Sequence, residues 1–164
     1  MIDPSTRQLC FAAALVSVAL APAAAAAQTS ATMTVSAEVL PSCSVQAGTL
    51  AFGALEAGDN RGGSTAQAAL TLDCTPGTAF AVTMDQGLHG GRRMADAGGA
   101  TFLDYEIYQD AAATRPWGGS TDGAVGGMAP GEGKVALNAY GRVFAQAGAR
   151  PGRYEDVVTV LVSF

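Results

Sequence analysis

Residues Tyr154 to Phe164 alternate without a break. Tyr154, Asp156, Val158, Val160, Val162 and Phe164 fall on one face, and Glu155, Val157, Thr159, Leu161 and Ser163 on the other. Period-two alternation with β-branched and aromatic residues predicts a strand. No turn and no further strand follow it in this sequence. A long apolar edge is a template for another strand, and soluble proteins normally blunt it. The neighbouring position in this sheet is therefore expected to be filled either from elsewhere in the chain or by a partner.

The rest of the chain reads the same way. Ala31 to Val39 alternates Ala31, Met33, Val35, Ala37 and Val39 against Thr32, Thr34, Ser36 and Glu38, and Pro41 ends it. Short strands are predicted over Thr49–Phe52 and Ala66–Cys74, and at Phe80, Val82 and Met84 after the Pro76-Gly77 turn. Phe102–Gln109 sets Leu103, Tyr105 and Ile107 against Phe102, Asp104, Glu106 and Tyr108, and Lys134–Ala145 alternates Val135, Leu137, Ala139, Val143 and Ala145. Residues 87–99 read as turns around Arg92-Arg93-Met94, and 118–133 as a glycine-rich hairpin connection. No segment has the period of a long amphipathic helix. Many short strands between turn signals predict an all-β, antiparallel sandwich with Greek-key connections.

Residues 1–27 are expected to leave. Leu9–Ala21 is a short apolar run, and Ala25 and Ala27 stand three and one positions before the bond to Gln28, as signal peptidase requires. The run is shorter than the ~20 residues of a spanning helix, although Arg7 is the only basic residue ahead of it and an uncleaved anchor is the rival reading. Cys10 leaves with this segment, and Cys43 and Cys74 remain. Two cysteines in an exported chain suggest one disulfide, stabilising a loop of about thirty residues by roughly 3–4 kcal/mol. Free or metal-binding thiols are the alternative, but the only histidine is His89 and a zinc site needs more ligands. What remains, residues 28–164, is one domain's length. A net charge of −5 with a single Lys134 argues against nucleic acid as a partner.

Catalytic signals are thin. His89 lies in the turn-like Gly87-Leu88-His89-Gly90-Gly91. Ser64 and Ser120 stand in no nucleophile-elbow pattern. Asp104, Glu106 and Asp110 group around one strand, where paired carboxylates could do acid–base work, yet alternation makes them the solvent face of that strand. The glycine pairs at 118–119 and 126–127 precede no helix and so make no phosphate cradle. Arg92 and Arg93 read as surface or loop-bracing residues, and Trp117 as a core or loop anchor. No enzymatic function, cofactor or metal is expected.

The two ends carry the remaining signal. A free amphipathic segment at 28–40 and an uncovered strand at 154–164 have the logic of strand addition between subunits, with main-chain hydrogen bonds for affinity and alternate side chains for register. Such head-to-tail contacts do not close, and build a filament. Burying Met33, Val35 and Val39 at ~1.5–3 kcal/mol each gives roughly 5–9 kcal/mol, against the ~5–15 kcal/mol that holds a whole domain together. Alternation alone equally allows residues 28–39 to be the first strand of their own domain.

The chain resembles the spore coat protein U domain family, whose members include subunits of archaic, Csu-type chaperone–usher pili. The resemblance rests on Cys43 soon after the first alternating segment, Phe52-Gly53, and Cys74-Thr75 with Gly77. It continues through Asp104-Tyr105, Ile107-Tyr108, Asp110, Trp117-Gly118 and Gly141-Arg142, and closes with Gly152-Arg153-Tyr154-Glu155-Asp156, Val158, Val160 and Phe164. It implies an incomplete immunoglobulin-like β-sandwich lacking its final strand, over 41–164, completed by a donor strand from residues 28–40. The donor face would be Ala31, Met33, Val35, Ala37 and Val39. Val158, Val160, Val162 and Phe164 would belong to the strand bordering the groove, with Phe164 and its carboxylate as a chaperone's handle. Cys43 and Cys74 match the family's disulfide pair. The implied function is a structural pilus subunit, exported through the periplasm to the cell surface. It would be polymerised by donor-strand exchange and would serve adhesion and biofilm formation. The partners would be other copies or related pilin subunits, a periplasmic chaperone and an outer-membrane usher. The donor departs from a run of larger residues at Ala31 and Ala37. A secreted monomeric β-sandwich binding module that fills its own groove is the alternative, and a secreted hydrolase a third.

Overall fold

The computed structural model describes residues 26–56, 63–144 and 149–164. The chain divides into two units, Met1–Ala37 and Glu38–Phe164. Of the first, residues 26–37 are described. They carry no assigned helix or strand, and each is exposed. The expected leader lies, but for its last two residues, outside the described residues.

The second unit is all-β, with two antiparallel sheets. Among the described residues nine strands run in chain order: β1 Cys43–Ala47, β2 Ser64–Cys74, β3 Ala79–Met84, β4 Arg93–Asp96, β5 Phe102–Tyr108, β6 Val125–Met128, β7 Lys134–Val143, β8 Tyr154–Glu155 and β9 Val160–Ser163. A 3-10 turn, Thr121–Gly123, precedes β6. The larger sheet has the order β1-β2-β7-β5-β4-β8, and the smaller one β6-β3-β9.

Strand alternation decides what meets between the sheets. The inward rows of β2 and β3 supply Leu70, Leu72, Cys74, Phe80, Val82 and Met84, and β5 and β7 add Tyr105, Ile107, Ala139 and Val143. The predicted inward faces of all four strands are the buried or half-buried ones, Ala145 lying outside the described residues. Trp117 is 1% exposed, and its indole N–H donates to the Val82 carbonyl at 2.9 Å, so the one polar atom of this core anchor is satisfied. Cys43 and Cys74 face each other in the β1–β2 register and form the disulfide.

Four expectations are corrected. Thr49–Phe52 forms no strand. After Gly48 donates to the Ala69 carbonyl the ladder stops, and Leu50 and Phe52 turn inward over Gly141. A Cβ at Gly141 would stand 2.6 Å from Leu50 and 2.8 Å from Phe52, so a larger residue there would push these two side chains aside. The connection 118–133 contains a strand, β6, whose Gly127 lies against the Phe80 ring where a side chain would collide. Residues 87–99 are not turns throughout, because Arg93–Asp96 forms β4; of the two roles open to Arg92, surface or loop-bracing, it takes the second, being 2% exposed and donating to the carbonyls of Trp117 at 2.8 Å and Met84 at 3.3 Å. Tyr154–Phe164 is not one strand. It pairs with β4 as β8, crosses between the sheets over residues 156–159, and pairs with β3 as β9.

Candidate functional site

The crossing of the C-terminal segment is fixed by polar contacts. Asp156 accepts from the Tyr105 hydroxyl at 2.6 Å and from the Leu88 N–H at 2.9 Å. Asp85 Oδ1 accepts from the Thr159 N–H and the Gly87 N–H, both at 2.9 Å. Backbone bonds run from Asp85 N to Thr159 O at 3.1 Å and from Leu88 N to Val157 O at 3.0 Å. The loop after β3 thus continues that strand's pairing along the crossing. Gly87 is required here: its φ is +80°, and a Cβ would stand 2.0 Å from an Asp156 oxygen. Thr159 above all, with the Gly87 N–H, holds Asp85 below the usual carboxylate range. Burial, and then the bond to Asp156, push the Tyr105 hydroxyl well above its ordinary value.

These contacts also fix which way the segment's main chain points. Residues 157 and 159 turn their carbonyls toward the loop after β3. In an antiparallel ladder the N–H and C=O of successive residues face opposite edges. Those of Val158, Val160 and Val162 therefore face the other edge, which has no ladder partner among the described residues.

Beside that edge lies an open groove of about 1370 Å³. One lip is formed by residues 47–56 and the other by residues 150–158 and Val160. Its floor is the inner face of the larger sheet, with Leu70, Leu103, Tyr105, Ile107, Ala139 and Val143, joined by Met84 and Met94. Phe52 and Tyr105 meet inside it with ring centroids 6.3 Å apart. An apolar trough beside a row of unpaired backbone groups is suited to receive an extended chain.

A family model described as the Spore Coat Protein U domain matches residues 29–161. The chain belongs to the Spore Coat Protein U domain family. Membership places it among structural, non-enzymatic proteins with an immunoglobulin-like fold. It is also similar to a chain in the crystal structure of the CsuC–CsuE chaperone–tip adhesion subunit pre-assembly complex from archaic chaperone–usher Csu pili of Acinetobacter baumannii. Identity is 27% and the TM-score 0.60, covering 77% of this chain and 40% of that one. This chain therefore spans less than half the length of that relative. No curated protein matches it.

In this Spore Coat Protein U domain the residues singled out from sequence take distinct places. Val158 and Val160 line the groove. Val162 packs on the core opposite Val82, and Phe164 is 56% exposed and outside the groove lining. Ala31, Met33, Val35, Ala37 and Val39 are all exposed, the three larger ones by 86–87%. The candidate catalytic groups are not assembled. Ser64 donates to the Phe52 carbonyl, His89 lies edge-on to Phe102, and Glu106 accepts from the Ile107 N–H. Asp110 caps the following turn through Thr114 and Arg115, and Asp104 is exposed. The groove lip at 47–56 and the Tyr105–Asp156 bond were missed in the sequence. The first left a faint signal in the alternation of Cys43, Val45 and Ala47, and the second left none, since its partners are 51 positions apart.

Proposed function

We propose that this protein is a structural pilus subunit of a chaperone–usher pathway that polymerises by donor-strand exchange. The observation that carries the reading is the open apolar groove beside the unpaired edge at Val158, Val160 and Val162. The donor is the 28–40 segment of the next copy or of a related subunit, inserting Ala31, Met33, Val35, Ala37 and Val39. A periplasmic chaperone holds the groove until an outer-membrane usher exchanges it, with Phe164 as the chaperone's handle. The product is a cell-surface fibre serving adhesion and biofilm formation. The family match and the likeness to a chain from a chaperone–subunit complex support this reading.

The test is to express the chain with and without residues 28–40. An SDS-resistant ladder that disappears on deletion is the expected result. A monomer in which residues 28–40 are protected from hydrogen exchange overturns it.

A further inference from the structure

The two ends of the groove differ in charge. Its closed end lies where β1 comes against β9. Ala47, Leu70 and Val160 line it there, while Val45 and Val162, further toward that end, pack on the core outside the groove. Lys134 stands at the same end but on the outer face of the sheet, paired with Asp73 at 2.9 Å. The open end, or mouth, lies past Ser64 and Val143, with Glu56 on one lip and Arg150, Arg153 and Glu155 on the other. Arg153 is paired with Glu155 at 2.6 Å, and Asp156 is held by Tyr105 and Leu88. Arg150 is exposed and has no ion pair among the described residues. Its backbone is fixed all the same: its N–H donates to the Tyr154 hydroxyl at 3.1 Å, and its carbonyl accepts from that hydroxyl at 2.9 Å. The C-terminal lip therefore presents one positioned, uncompensated cation at the mouth.

The donor segment 28–40 carries one charged side chain, Glu38, near its C-terminal end. By alternation Glu38 falls on the face opposite Met33, Val35 and Val39, so it stays out of the trough and within reach of a lip. We propose that Arg150 receives Glu38 of a strand from another copy of this chain, and that this ion pair makes the groove prefer that strand to the chain's own. Chain reach decides between the two. Glu38 stands five positions before Cys43, hence at most ~18 Å from it. Cys43 is level with Cys74, at one end of the eleven-residue β2, and the mouth lies past Ser64 at the other. The length of β2 alone sets about 34 Å between them. The chain's own Glu38 is thus confined to the closed end, where no groove residue among those described is a cation. A strand from another copy has no such tether. Running from the closed end to the mouth, antiparallel to residues 154–164, it sets Ala31 deepest and leaves Glu38 beside Arg150. The opposite direction returns Glu38 to the closed end. Complementary charge at one end only therefore fixes both partner and direction. The proposal rests on the fibre-forming reading above.

The experiment times the loss of the SDS-resistant ladder from sheared fibres held in urea at low salt. It compares the wild-type chain, Glu38→Lys, Arg150→Glu and the double swap of both. Each single reversal is expected to shorten the ladder's lifetime by about twofold to fivefold, as for an exposed ion pair. The double swap should restore it, and high salt should narrow the differences. Glu38→Lys combined with Arg153→Glu should not restore it. The neutral variants Glu38→Gln and Arg150→Gln should shorten the lifetime less than the reversals, and they serve as the test if a reversal blocks folding or export. A double swap as short-lived as the single variants, restoration by Arg153→Glu, or neutral variants that last as long as wild type overturns the pair. So does a free monomer destabilised by either reversal and restored by the swap, since the pair then lies within one chain. A wild-type chain that gives no ladder overturns the fibre-forming reading itself, and this pair with it.

Discussion

The Tyr105 hydroxyl donates to Asp156 at 2.6 Å, and this bond ties the floor of the groove to its C-terminal lip. Tyr105 is buried in the larger sheet, whereas Asp156 begins the stretch that leaves that sheet for the smaller one. One side-chain pair therefore joins floor and lip at the point where the chain changes sheets. The loop at 85–88 holds the same stretch from the other side.

Tyr105→Phe keeps the ring and removes the bond. Asp156 then retains only the Leu88 N–H, and the expected loss is about 1.5–3 kcal/mol, as for a hydrogen bond to a charged group. Urea unfolding measures it. Amide exchange should also speed up at Leu88 and Thr159, on the two sides of the crossing. An unchanged midpoint and unchanged exchange at those amides would show that the bond does not hold the lip.

The Cys43–Cys74 disulfide joins the edge strand β1 to β2, at the end of the core row that Leu70 and Leu72 begin. Reduction, or a double Cys→Ser variant, is expected to cost roughly 3–4 kcal/mol through the freed loop. The same change should loosen the nearby groove lip at 47–56. Limited proteolysis checks both together, because cleavage should appear between residues 43 and 56 before the core strands are cut.

The sequence exposed the inward rows because alternation is a local property. Leu70, Val82, Ile107 and Val143 are placed by their own neighbours in the chain, and each is buried as its period predicts. What local pattern could not carry is the partner of each strand. Tyr154 to Phe164 alternates as one strand, and long-range contacts, among them those of Asp156 with Tyr105 and Leu88 and of Thr159 with Asp85, divide it between two sheets. β6 was hidden for a different reason. Its Gly126 and Gly127 have little β propensity, and at Gly127 the Phe80 ring fills the space a side chain would need. Arg92 was legible only as a surface or loop-bracing residue, because its burial depends on carbonyls presented by Met84 and Trp117. The groove itself was legible as an uncovered edge at Val158 and Val160, but its second lip needed the fold.

Asp85 gives the crossing an acid limit. Its pKa is lowered in the folded chain from an ordinary 3.8 by the bonds from Thr159 and Gly87. A depressed carboxylate contributes stability that is fully present above its unfolded value and is lost as pH falls through the folded one. The crossing should therefore hold unchanged above about pH 4 to 5 and loosen below ~3.8. Asp85→Asn can still accept a hydrogen bond, and should flatten this acid limb without abolishing folding at neutral pH. Unfolding curves between pH 2 and 7 on both chains make the comparison. An acid limb of equal depth in both would remove Asp85 as its cause.

The sharpest prediction concerns alternate amides at the groove edge. Asp85 N and Leu88 N already bond to the carbonyls of Thr159 and Val157, and Thr159 N bonds to Asp85. By alternation Leu161 and Ser163 face β3, while Val158, Val160 and Val162 face the open edge. In the chain lacking residues 28–40, amides at 159, 161 and 163 should be slow to exchange, and those at 158, 160 and 162 fast. A peptide of sequence 28–40 should then slow the second set and leave the first nearly as it was. Because two Ala replace larger side chains in this donor, Ala31→Leu and Ala37→Leu peptides should dissociate more slowly. Each could gain up to ~1–2 kcal/mol where its pocket has room, and nothing where it does not. Slowing of the odd-numbered amides by the peptide would place the added strand elsewhere. Equal slowing along the whole segment would indicate general stabilisation in place of pairing at this edge.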